Sequence, residues 1–69
     1  MKNYKIVFIC INEDGEERRW SMTPSELYKE FFGACDLPNL NDPIDSCTYN
    51  GTPLSFDTFS DLLSAFGIE

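Results

Sequence analysis

The first apolar segment of the chain, Asn3 to Ile11, mixes β-branched and aromatic residues and predicts a strand. Tyr4, Ile6, Phe8 and Cys10 point one way, and Lys5, Val7, Ile9 and Ile11 the other. Both faces are largely apolar, which suits a central strand or a sheet covered on two sides. Asn12 to Glu16 is a turn, with Asp14-Gly15 as its hairpin signal, because glycine takes positive φ without steric cost. Glu17 to Met22 returns as a more polar strand. Arg18, Trp20 and Met22 share one face, and Glu17, Arg19 and Ser21 the other, a pattern that predicts an edge strand.

Thr23-Pro24-Ser25-Glu26 has the form of a capping box, with proline at the first helical position, where its missing N–H costs nothing. The helix is expected to run to about Cys35, with Leu27, Tyr28, Phe31, Phe32 and Cys35 as its apolar stripe. Asp36-Leu37-Pro38 stops it, since the residue before proline avoids the α region. A loop over 39–43 leads to a short third strand, Ile44 to Tyr49, then an Asn50-Gly51 turn and an extended Thr52-Pro53-Leu54. Ser55 is expected to cap a second helix, Phe56 to Phe66, with Phe56, Phe59, Leu62, Leu63 and Phe66 on one stripe. Gly67 is a natural αL terminator, and Ile68 supplies the apolar contact of a Schellman motif.

The predicted order is β-β-α-β-α in a single domain over residues 1–69. The fold class is α+β: a small two-layer domain with an N-terminal antiparallel hairpin and two helices packed on the sheet. The first four elements, followed by Tyr49 to Leu54, resemble ubiquitin-like β-grasp domains in layout. The last strand of that fold, which sits in the middle of its sheet, has no counterpart in this chain, so no ubiquitin-like function is carried over. If both helices pack on one sheet face, the other exposes either Tyr4, Ile6 and Phe8 or Val7, Ile9 and Ile11. Such a patch marks an interface, and a symmetric dimer through the sheet is one arrangement that covers it; the competing arrangement puts one helix on each face and needs no partner.

Six Phe, three Tyr and a Trp in 69 residues place the chain among folded domains. A chain this short buries only about 60% of its unfolded surface, which leaves little room for both a core and a deep cleft. The run Ile6 to Ile11 is too short to span a bilayer and follows no signal-peptide pattern, so a cytoplasmic protein is expected. The formal net charge is -7. That argues against direct binding to nucleic acid or to anionic membranes, whose affinity comes from neutralising phosphates.

The charge is uneven. All five basic residues, Lys2, Lys5, Arg18, Arg19 and Lys29, lie in the first 29 positions, balanced there by five acids. The whole excess belongs to residues 30–69, which hold seven acids and no Lys or Arg. A single-sign surface steers partners of opposite charge. Asp36, Asp42, Asp45, Asp57 and Asp61 are therefore the candidate partner-binding residues, for a protein with a basic surface. An inhibitor or nucleic-acid mimic, with carboxylates standing where phosphates would sit, is one form of such a module.

No enzyme, cofactor or metal centre is expected. With no histidine, the chain lacks the commonest general base and the commonest metal ligand. Cys10, Cys35 and Cys47 are odd in number and form no C-x-x-C, and each suits a small buried hydrophobe better than a zinc ligand. No glycine-rich phosphate cradle is present. The pair Asp57 and Asp61 shares a helix face without apolar neighbours, as solvated carboxylates do. The oxygen-rich 36–45 loop is a calcium- or small-ligand-binding alternative, although its spacing departs from the calcium-loop pattern.

Overall fold

The computed structural model describes residues 4–33 and 36–68. β1 (Ile6–Ile11) is paired on both sides, as its two apolar faces predict. It is antiparallel to β2 (Glu17–Met22) on one side and to β3 (Ile44–Tyr49) on the other. A fourth strand, β4 (Thr52–Leu54), was expected only as an extended segment; it extends the sheet to the order β2-β1-β3-β4. The helices are α1 (Pro24–Phe32) and α2 (Phe59–Ala65), so the chain is a small α+β fold with a four-stranded antiparallel sheet. The likeness to β-grasp layouts ends at element order, because β3 itself lies beside β1.

Several local signals act as their chemistry requires. Asn50 and Gly51 both have positive φ, 53° and 75°, which matches the twist of a two-residue hairpin between Tyr49 and Thr52. The Thr23 capping box forms in full: Glu26 N–H donates to Thr23 Oγ1 (3.1 Å) and Thr23 N–H to Glu26 Oε1 (2.9 Å). At the end of α2, Ile68 N–H donates to Leu63 C=O (2.9 Å) and Gly67 N–H to Ser64 C=O (3.1 Å). With Gly67 at φ 70° and Ile68 buried, this is a complete Schellman motif.

α2 begins three residues later than expected, with Thr58 rather than Ser55 as its N-cap. The cause is tertiary. Ile44 N–H donates to Asp57 C=O, Thr58 bridges to Pro43, and Phe59 N–H donates to Asp42 C=O. These bonds hold Thr58 as extended backbone against the entry to β3. Thr58 then caps the helix together with Asp61.

Both helices bury their apolar residues against one face of the sheet. Ile6, Phe8 and Cys10 meet Trp20, Cys47, Leu27, Phe59, Leu62, Leu63 and Ile68 in a single core. Phe8 stacks on Trp20 at 5.5 Å and on Phe59 at 5.6 Å between ring centres. The stripe expected of α1 is only partly core. Leu27 is buried and Phe31 half-buried, whereas Tyr28 and Phe32 are 53% and 63% exposed and pack on each other at 4.7 Å. α1 ends at Phe32 with Gly33 as its C-cap, a turn short of the expected stop. Asn3 and Cys35, expected at the ends of the first strand and first helix, lie outside the described residues.

Phe59 closes the core from the helix side, so Phe59→Ala is expected to cost about 3–5 kcal/mol. That is a third or more of the stability of a chain this size, roughly 3–10 kcal/mol at 0.05–0.15 kcal/mol per residue. Urea unfolding followed by Trp20 fluorescence measures it; a loss below 1 kcal/mol would contradict this packing.

Candidate functional site

The sheet order turns the charge asymmetry of the sequence into a spatial one. β2, at one edge, carries Arg18 and Arg19, while β3, β4 and α2 carry no Lys or Arg. The five candidate carboxylates are not equivalent. Asp36 accepts a hydrogen bond from the Arg18 guanidinium at 3.2 Å, with both side chains more than half exposed. Such a surface pair is worth about 0–1 kcal/mol. The same guanidinium lies 4.9 Å from the Trp20 ring centre, and Trp20 Nε1–H donates to the Asp36 carbonyl (3.0 Å).

Asp42 is 8% exposed and shapes its own turn. Its Oδ2 accepts from Asn39 N–H (3.2 Å), and its N–H donates to Asn39 C=O (3.0 Å). Asp61 caps α2, its carboxylate accepting from Thr58 N–H (3.3 Å). Asp45 and Asp57 are exposed, and neither side chain has a hydrogen bond or ion pair among the described residues. Asp45 occupies the bulge where the β1–β3 register shifts. Backbone bonds from 40–44 to 57–60 bring Asp42, Asp45, Asp57 and Asp61 to one end of the fold; Asp36 is tied to the β2 side instead.

Two further features stand near these residues. The outer sheet face carries Val7 between Ser21 and Thr48, Ile9 between Arg19 and Ser46, and Ile11 beside Glu17. These three aliphatic side chains are half-buried and lie outside the helix-covered core. On the opposite side a cavity of about 280 Å³ opens between the β1–β2 hairpin and the 37–42 loop. Cys10, Asn12, Arg18, Trp20, Leu37, Pro38, Asn39 and Asp42 line it. Sequence reasoning missed this cavity. Leu37-Pro38 signalled only a helix stop, and nothing local pairs that segment with Trp20.

Among the described residues, no group of three or more His, Cys, Asp or Glu side chains is placed to hold a metal ion, and no helix is long and apolar enough to cross a membrane. Cys10 and Cys47 are free, buried thiols. Burial above all, with Asp42 and Cys47 adding to it, pushes the Cys10 thiol up to about 12; burial raises Cys47 as well. Cys10 thus stays protonated in the folded chain at a pH where the unfolded chain releases its proton. The folded state then binds more protons, and stability falls as pH rises from about 9 toward 12. Urea midpoints at increasing pH are expected to show this decline, with a shallower slope in Cys10→Ala. An unchanged slope in that variant would refute it.

Comparison with protein-family models, with characterised proteins and with solved structures finds no match to this chain, so its function rests on the geometry above.

Proposed function

We propose that this protein is a non-enzymatic acidic module that binds a partner protein through a basic surface on that partner. The observation that carries this is the availability of Asp45 and Asp57. Both are exposed and unpaired among the described residues, on β3 and on the segment leading into α2, neither of which carries a Lys or Arg. Long-range attraction to these carboxylates raises the association rate of a cationic surface and orients it. Asp42 and Asp61 reinforce the field while serving the backbone, and Asp36 contributes less because Arg18 offsets it.

A second reading is favoured by the outer sheet face. Val7, Ile9 and Ile11 form an aliphatic stripe that the helices leave uncovered, which suits a homodimer through the sheet. Salt separates the two. A charge-driven complex weakens as ionic strength rises, whereas an apolar dimer does not.

The test uses Asp45→Asn/Asp57→Asn beside Glu13→Gln/Asp14→Asn, which removes the same charge from the hairpin turn. Both are captured against cell lysate and the retained proteins identified. A basic protein held by the original and by the turn variant, but about tenfold more weakly by Asp45→Asn/Asp57→Asn, is the expected result, at about 0.7 kcal/mol per exposed pair. Equal retention by all three rejects the acidic end as the binding surface. Sedimentation equilibrium of Ile9→Lys addresses the second reading: a salt-insensitive dimer of the original that becomes monomeric in the variant establishes it, and a monomeric original removes it.

A further inference from the structure

The cavity beside Trp20 carries one charge of each sign. Its lining contains one guanidinium, Arg18, and one carboxylate, Asp42. The two are not paired with each other: among the described residues, Arg18 makes its ion pair with Asp36. Cys10 lies between them. Arg18 stands opposite Cys10 in the β1–β2 register. The turn that holds Asp42 reaches β1 from its other side, where Ile11 N–H donates to Pro43 C=O (3.1 Å). Neighbouring strands are about 4.8 Å apart, so the backbone positions that deliver the two charges are roughly 10 Å apart. The Cys10 thiol, pushed up to about 12, is protonated at neutral pH and offsets neither charge.

Both groups keep bonding capacity. A guanidinium has several N–H donors, of which Arg18 directs Nη2 at Asp36 (3.2 Å); its contact with the Trp20 ring, at 4.9 Å, consumes none. A carboxylate offers about four lone-pair sites, and Asp42 accepts from Asn39 N–H at one of them. Asp42 is buried and the Arg18 side chain half exposed, so the carboxylate lies deep and the guanidinium at the mouth. A purely cationic ligand meets a like charge at Arg18, and a purely anionic one meets a like charge at Asp42. A small molecule bearing both charges finds a charge-assisted partner at each end. Leu37 and Pro38 are half-buried and form an apolar flank with Trp20. The volume of about 280 Å³ lies at the lower bound, roughly 300 Å³, of sites for drug-sized molecules, so the occupant is smaller than that class.

We propose that this cavity binds a free α-amino acid with a small apolar side chain, its ammonium group on Asp42, its carboxylate on Arg18 and its side chain against Leu37, Pro38 and Trp20. The two charges of the ligand lie on one carbon, and the third substituent of that carbon meets the apolar flank. This site is independent of the exposed carboxylates Asp45 and Asp57.

The experiment titrates L-valine into the full chain at neutral pH while the backbone amides of 37–42 and the Trp20 indole N–H are followed by NMR. A saturable shift of these signals is expected. Isobutylammonium and isovalerate, which are valine without its carboxylate and without its ammonium group, should each bind the unaltered chain at least tenfold more weakly. Arg18→Gln and Asp42→Asn should each weaken valine binding at least tenfold, whereas Asp45→Asn/Asp57→Asn should leave it unchanged. Asparagine at 42 keeps an oxygen for Asn39 N–H, and the dispersion of each variant's own spectrum reports its folding. Arg18 is exposed enough that its variant keeps the core intact should Asp42→Asn unfold. No saturation with valine, equal binding of either half-molecule, or undiminished binding by folded Arg18→Gln would each overturn the assignment.

Discussion

Phe8 is the residue on which the rest of the structure depends. It sits at the middle of the central strand, fully buried, with Trp20 of the neighbouring strand on one side and Phe59 of α2 on the other. Offset aromatic contacts of this kind add about 0.5–1.5 kcal/mol beyond the area they bury. Each ring in the stack also fixes something beyond itself. Trp20 holds the Asp36 carbonyl through its indole N–H, which sets the path of the chain after α1. Phe59 carries its own N–H to the Asp42 carbonyl, which sets the turn before β3. The 36–42 loop, and the cavity it closes, thus hang between the two outer rings of one stack.

What could be read from the sequence follows the range of the interactions involved. The Thr23 capping box, the Asn50-Gly51 turn and the Gly67-Ile68 terminator are closed by residues within five positions of one another, and all three form where the sequence puts them. The start of α2 is different. Ser55 and Thr58 both offer a capping hydroxyl, and bonds from Asp57, Thr58 and Phe59 to 42–44 select between them. Helical periodicity likewise put Tyr28 and Phe32 on one stripe with Leu27, but a short helix on a small sheet turns only a narrow row inward, and these two rings lie beyond it.

The candidate site divides in the same way. Counting charges identifies β3, β4 and α2 as elements without a cation, but the fold decides which cation comes beside a given carboxylate, as Arg18 does beside Asp36. Counting does not show which carboxylates are free. Asp42 and Asp61 are committed to backbone N–H groups and Asp36 to Arg18, and only Asp45 and Asp57 remain without such duties. The cavity is a product of long-range contact between a hairpin and a loop, and no spacing rule reaches it.

The seam between 40–44 and 57–60 also constrains how the chain reaches this state. α2 has seven residues, too few to persist alone in water, and its first turn is held by partners that precede β3. Those partners are in place only once β3 has aligned on β1, and their loop-closure entropy must be met before the helix returns any packing energy. The N-terminal hairpin, by contrast, closes through a turn organised by Asn12, whose Oδ1 accepts from the N–H groups of Asp14 and Glu16. These closure costs favour an order from the β1–β2 hairpin to β3 and then to α2.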